Sequence, residues 1–132
     1  MILVDSSVWI DYFSGNDSAV ADFLDRILGN RAVAIGDLIL TEVLQGFRHE
    51  KDYKVAKSLL EELPVFELLG KKMAIKSANN FRKLRKKGIT IRKTADVIIG
   101  SYCVEYNLPL LFSDKDFQPF VEHLGLRNAV HT

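Results

Sequence analysis

Met1-Ile2-Leu3-Val4-Asp5 opens the chain, and Leu108-Pro109-Leu110-Leu111-Phe112-Ser113-Asp114 repeats its form near the other end. In each, a short apolar run finishes on an aspartate. A carboxylate just past a short buried strand faces the crevice where open parallel α/β sheets place their ligands. Two such strands side by side would bring Asp5 and Asp114 within reach of one another. Like charges that close raise each other's pKa unless a cation stands between them. Oxygen-only donors favour a hard ion such as Mg²⁺ or Mn²⁺.

The rest of the chain alternates apolar runs with amphipathic stretches, the pattern of an α/β domain with a mostly parallel sheet. Five strands are predicted, at Met1–Val4, Arg31–Ile35, Val65–Leu68, Leu108–Ser113 and Arg127–Val130. Between them, apolar residues at helical spacing predict helices over about 7–13, 18–28, 37–47 and 52–63. A long basic helix runs from Lys71 to Lys87, stopped by Gly88. Thr94 is the expected N-cap of an apolar helix reaching Tyr106. A short helical turn follows over 115–120. With no repeat or linker, residues 1–132 read as one domain, a size that can bury a sizeable core.

Composition narrows the setting. The chain has 132 residues, 48% of them hydrophobic and 27% charged, as in ordinary globular proteins. No apolar run approaches the roughly 18 residues of a membrane span. The N-terminus lacks the basic region of a secretory signal. The single cysteine, Cys103, fits a reducing compartment and a buried structural role. A cytoplasmic protein without membrane contact is expected. The net charge of +1 hides segregation: Lys71, Lys72, Lys76, Arg82, Lys83, Arg85, Lys86, Lys87, Arg92 and Lys93 fall in one stretch without an acid. The remaining eight basic residues face all 17 acids. An acidic body with one basic track is compatible with a nucleic-acid partner, although a solvated helix face would look the same.

Two more acids belong to the argument. Asp96 heads the helix that leads into the Asp114 strand, and Glu42 lies early in the helix after the second strand. A right-handed crossover places both at the edge where Asp5 and Asp114 emerge. Asp116, two residues beyond Asp114, is a fifth candidate. Each acid alone has a plainer reading: Asp5 and Asp114 as N-caps, Asp96 as first-turn dipole chemistry, Glu42 as a solvent-facing spacer. Four acids arriving at one rim from separate segments exceed what capping requires.

The blocks Ile2-Leu3-Val4-Asp5-Ser6-Ser7-Val8-Trp9-Ile10, Thr41-Glu42-Val43-Leu44-Gln45-Gly46, Thr94-Ala95-Asp96-Val97-Ile98-Ile99-Gly100 and Leu111-Phe112-Ser113-Asp114-Lys115-Asp116-Phe117 resemble the acidic blocks of PIN-domain ribonucleases. In order and spacing they are similar to the small VapC-like toxins of type II toxin–antitoxin systems. The resemblance implies a three-layer α/β/α fold around a five-stranded, mostly parallel sheet, and Mg²⁺- or Mn²⁺-dependent endoribonuclease activity. It makes Asp5, Glu42, Asp96 and Asp114 the acidic constellation, with Asp116 auxiliary. Asp5, Asp96 and Asp114 are the expected metal ligands. Ser113 stands where the family more often has Thr, and the hydroxyl is kept. Ser7 and Thr94 are candidate supporting hydroxyls. The resemblance also implies a cognate VapB-like antitoxin and a homodimer.

Hydrolysis of a phosphodiester needs a nucleophile at neutral pH and relief of charge building on phosphorus oxygens, which a divalent ion supplies. Arg82, Arg85, Lys86, Arg92 and Lys93 are the expected phosphate contacts, giving affinity without reading sequence. Trp9, Tyr12 and Phe13 fit core or a subunit interface better than base stacking. His49, His123 and His131 lack zinc-ligand spacing. Rival readings are a catalytically inert PIN-fold module for RNA binding or assembly, and a phosphoryl-transfer or receiver domain. The phosphatase pattern wants a second Asp where Ser7 stands, and receiver chemistry wants an acidic pair near the first strand.

Overall fold

A computed structural model describes residues 1–131; Thr132, the last residue of the expected domain, lies outside the described residues. Strands β1 (Ile2–Val4), β2 (Val33–Gly36), β3 (Val65–Phe66) and β4 (Leu110–Leu111) form a parallel sheet in the order β3-β2-β1-β4. All three residues of β1 are fully buried. A strand covered on both faces has no polar side to present, and so reads as an unbroken apolar run. The register sets Leu3 between Ala34 and Leu110, and Val4 opposite Leu111. The chain steps from β1 to β2 to β3, then crosses back to lay β4 on the other side of β1. The ends of β1 and β4 at that reversal are where open α/β sheets generally place their ligands.

Helices cover both faces. On one side α1 (Ser6–Ser14) packs on α2 (Ala19–Ile27) and α3 (Asp37–Gln45), and α3 packs on α4 (Glu50–Glu61). On the other, α5 (Lys71–Lys86), α6 (Thr94–Glu105) and α7 (Gln118–Leu124) pack on one another. The α2 stripe Ala21, Leu24 and Ile27 is buried at the predicted spacing, and Ser18 caps the helix by accepting from the Ala21 N–H at 3.0 Å. Trp9 is fully buried and stacks on Phe13 with ring centroids 5.8 Å apart, the core role expected for it. Cys103 is buried too, and burial pushes its thiol pKa up, which leaves it inert. No helix among the described residues is long and apolar enough to cross a membrane.

Three expectations need correction. The sheet has four strands, not five. The expected strand at Arg127–Val130 makes one parallel bridge, Asn128 to Leu110, and then turns into a 3-10 segment over Ala129–His131. The Asn128 side chain accepts from the Val130 N–H at 3.0 Å, so a local side-chain bond replaces the next rung of the ladder. Thr94 is the first helical residue of α6 rather than its cap; Lys93 holds the extended cap position and makes no side-chain capping bond. The short helix after Asp114 is a 3-10 turn, Lys115–Phe117, that continues into α7. Pro119 sits in the first turn of α7, where its missing N–H costs nothing.

The helix α6 is buried almost all round, from Asp96 through Ser101 and again at Cys103. Gly100 is what lets it approach α7 so closely: a Cβ there would lie 2.8 Å from the Phe120 ring. Because Gly100 lies one turn past Asp96, this packing also fixes where Asp96 is held. Gly100→Ala is expected to overpack the α6–α7 contact and cost about 1–3 kcal/mol. Urea unfolding of the variant checks this, and an unchanged midpoint would contradict it.

Candidate functional site

Asp5 follows β1 directly and caps α1, with Oδ2 accepting from the Ser7 Oγ at 2.9 Å and from the Ser7 N–H at 3.4 Å. Asp114 follows β4 and caps the 3-10 turn, with Oδ1 accepting from the Asp116 N–H at 2.9 Å. Both plain capping readings therefore hold. They hold together with convergence, because parallel pairing of β1 and β4 places the two caps side by side. The Asp5 N–H donates to the Leu111 carbonyl at 2.9 Å, and the Ser7 and Ser113 hydroxyls lie 3.1 Å apart across the strand ends.

Glu42 comes in from α3 and Asp96 from the first turn of α6. Carboxylate oxygens of Asp96, Asp114 and Asp116 all lie within 4.8 Å of one another. Asp116 thus joins this tightest group, whereas the expected ligand set had Asp5 in that place. Asp5 stands close by, and its negative charge bears on both Glu42 and Asp96. Asp5 and Asp96 are almost wholly buried, at 3% and 6% exposure. Asp5 Oδ1, Glu42 Oε1 and Asp96 Oδ2 are buried oxygens without a hydrogen-bond partner. An unpaired buried carboxylate oxygen is costly. Asp37, at the same edge, shows the contrast: its Oδ1 accepts from the Leu38 N–H at 2.8 Å and the Leu68 N–H at 3.1 Å, a fully structural assignment.

The titration behaviour follows from this crowding. Burial, then the charges of Asp5 and Asp114, push the Asp96 pKa up from 3.8 to about 7, with Lys93 opposing. Burial is also the main cause that raises Asp5, against hydrogen bonds from Ser7 and the Ser6 backbone. Glu42 is raised by burial and by Asp5, while Ser6 and Lys93 pull it down. Ser6 was not among the expected site residues; as one of two adjacent serines before a helix it carried no signal beyond capping. A divalent cation fits this donor set. It would take up the unpartnered Asp96 oxygen and relieve the repulsion among the neighbouring carboxylates, and Asp96, Asp114 and Asp116 are the residues spaced to hold it.

The basic candidates divide by position. Lys93 lies near enough for its charge to bear on Asp96 and Glu42. Arg92 pairs with Asp116, Nε to Oδ2 at 3.4 Å, from a mostly exposed side chain. Arg82 and Arg85 line a groove between α5 and α6 whose wall includes Thr94, and Lys86 is exposed. Lys72 and Lys76, from the other end of α5, are both held at 3.0 Å by Glu105, the last residue of α6, whereas Asp96 lies in its first turn. Thr94 is exposed on the groove and is not in contact with the carboxylates through any hydrogen bond between side chains.

The raised Asp96 has a thermodynamic consequence for the cation-free protein. A carboxyl that binds its proton more tightly folded than unfolded favours folding most at low pH. That advantage is lost as pH climbs from 3.8 through about 7. Without divalent ions, the thermal midpoint is therefore expected to be higher near pH ~5 than near pH ~8, and Asp96→Asn should flatten that slope. Thermal unfolding in a chelator across this range checks it; equal pH slopes in the two proteins would contradict it.

Comparison with known proteins agrees with this geometry. Residues 2–120 match the family model of the PIN domain. The chain is 26% identical over 131 residues to Ribonuclease VapC11 of Mycobacterium tuberculosis, covering 98% of each. It is 29% identical over 126 residues to Ribonuclease VapC1 of Methanocaldococcus jannaschii, covering 96% of this chain and 85% of that protein. Its fold is similar to a chain of the toxin–antitoxin complex from Klebsiella pneumoniae, with a TM-score of 0.71 at 20% identity, covering 96% and 95% of the two chains. The match runs from Ile2 to Phe120 and its span takes in every acid of the cluster: the chain belongs to the PIN domain family.

Proposed function

We propose that this protein is a Mg²⁺- or Mn²⁺-dependent endoribonuclease, acting in the cytoplasm as the toxin of a toxin–antitoxin pair and inhibiting translation by cutting RNA. The observation that carries the reading is the set of Asp96, Asp114 and Asp116 oxygens within 4.8 Å of one another, beside buried and unpartnered oxygens of Asp5 and Glu42. Its similarity to proteins named as VapC ribonucleases supports the substrate class. Its likeness in fold to a toxin–antitoxin complex supports the kind of partner, a VapB-like antitoxin. Residues 1–132 would act as one domain, in a homodimer.

In this reading Asp96, Asp114 and Asp116 hold the cation, with Asp5 beside them. A bound divalent ion lowers the pKa of water and offsets charge on the phosphate. The chain's own residues do the rest. Ser7 and Ser113 fix the Asp5 and Asp114 ends of the two strands, so the carboxylates arrive in one geometry. Glu42 stands outside the tight group with an unpartnered oxygen and a raised pKa. Glu42 would take the proton of the attacking water as the new O–P bond forms, while the P–O bond to the leaving nucleotide breaks and solvent water protonates the departing oxygen. Lys93 and Arg92 meet the phosphate flanking the cut, Arg92 exchanging Asp116 for it, and Arg82, Arg85 and Lys86 carry the strand onward.

The inert-module reading keeps one observation in its favour, that Asp5 and Asp114 do cap. Capping leaves the unpartnered oxygen of Asp96 without a purpose. Saturable Mn²⁺ binding that disappears in Asp96→Asn separates the two readings, and equal binding by both proteins would favour the inert module. Asp5→Asn should lower RNA cleavage in Mg²⁺ by a factor of about 100 or more while the fold survives, since a cation site there supplies several kcal/mol. Undiminished turnover on a labelled RNA would sink the proposal. RNA affinity should also fall steeply with added salt, through phosphate contacts; a flat response would argue against the basic track.

A further inference from the structure

Beside the acidic cluster the structure has a groove of about 550 Å³ between α5 and the first half of α6, within the roughly 300–1,000 Å³ of small-ligand clefts. Its floor is apolar, built from residues such as Phe81, Ile91 and Val97. Ser77 lines it as well, and its Oγ is buried without a partner. A buried hydroxyl of this kind is costly unless something binds it. Arg82 and Arg85 line the same groove, the Arg85 guanidinium lying 5.4 Å over the Phe81 ring. Thr94 and Val97 belong to its wall, and Asp96 lies between them in sequence. The groove and the acidic cluster are thus two sides of the start of α6.

We infer that this groove receives one unstacked base of the RNA strand, so that the neighbouring phosphate comes to rest at the acidic cluster. The inference rests on the ribonuclease reading and names the element that positions its substrate. The chemistry matches a nucleotide part by part. Apolar and aromatic surface takes the flat base, and the Ser77 hydroxyl bonds its polar edge. The two guanidiniums take flanking phosphates, with Arg85 held near the groove by its cation–π contact with Phe81. Charge argues for a polyanion, since the basic residues lining the groove are Arg82 and Arg85 and no acid lines it. Arg92 and Lys93 then continue the phosphate path from the groove to the cut. Ser77 and Phe81 become specificity-determining residues in a site whose acids read no sequence.

The test uses the full chain and six-nucleotide single-stranded RNAs of one sequence, each with one base removed. Binding is read by fluorescence anisotropy in Ca²⁺, and cleavage of the intact RNA is run alongside in Mg²⁺. Removing the base at one position alone should weaken binding about tenfold, the scale of a single base–protein stack. Ala78→Phe, which fills the groove from an exposed position on α5, should cause the same loss with intact RNA and no further loss with that abasic RNA. Ala74→Phe, one turn earlier, provides a second filling variant. The inference is overturned if every abasic RNA binds like the parent, or if RNA does not bind. It is equally overturned if both filled variants bind intact RNA as tightly as the unaltered protein. Loss of binding to an acidic amphipathic peptide, with RNA binding unchanged, would assign the groove to a protein partner instead. If the base-specific coupling is present but no RNA is cut in Mg²⁺ or Mn²⁺, the ribonuclease reading fails and the groove assignment stands.

Discussion

Parallel pairing of β1 with β4 is the constraint from which the site follows. Leu3 and Val4 lie opposite Leu110 and Leu111, so whatever follows each strand must emerge at the same edge. Asp5 and Asp114 follow them, and neither side chain can leave, because each is tied to the turn it caps. The helix α6 then brings Asp96 to the same place, held at depth by the close contact between Gly100 and Phe120. Burial that stabilises the fold and repulsion that opposes it therefore act on the same few residues. Folding pushes carboxylates together in a low-dielectric pocket, and the raised pKa of Asp96 records the cost. A divalent cation held by these carboxylates would remove that cost and turn the repulsion into affinity.

The proposed chemistry would give a separate basic track a purpose. An acidic pocket alone repels a phosphodiester, and a basic helix alone binds one without acting on it. Here α5 and α6 run antiparallel, and the ion pairs of Lys72 and Lys76 with Glu105 secure the end remote from the acids. The opposite end of α5 keeps Arg82 and Arg85 beside the start of α6. The helix pair thus has one end secured by ion pairs and one end lined by guanidinium groups. Lys93, at the hinge between them, already tempers the charge on Asp96 and Glu42.

Much of this is legible in the chain because its signals are strong and local. Ile2–Val4 is apolar on both faces and short, which a buried parallel strand requires, and the acid after it can point only one way. Convergence of Asp5, Glu42, Asp96 and Asp114 follows from crossover handedness, a global rule that needs no side-chain detail. The misses arise where local chemistry competes with such rules. Arg127–Val130 has the composition of an edge strand, yet Asn128 satisfies the Val130 N–H itself and ends the ladder after one bridge. Thr94 looks like a cap, but the backbone enters α6 one residue earlier, at Lys93. Asp116 looks auxiliary because spacing along the chain hides that a 3-10 turn folds it back onto Asp114. The groove is the least legible feature. Ser77 and Phe81 sit in a sequence that reads as a solvated basic helix, and only the packing of α5 against α6 reveals the hollow between them.

The central claim is that carboxylates gathered by two parallel strands and one buried helix form a single divalent-cation site. Anomalous diffraction from crystals of this protein grown with Mn²⁺ tests it most directly, because it locates the ion independently of any activity. The account predicts one dominant anomalous peak among the carboxylates of Asp96, Asp114 and Asp116, with Asp5 adjoining. A fully ordered pocket without such a peak at saturating Mn²⁺, or ions bound only elsewhere on the surface, would contradict it.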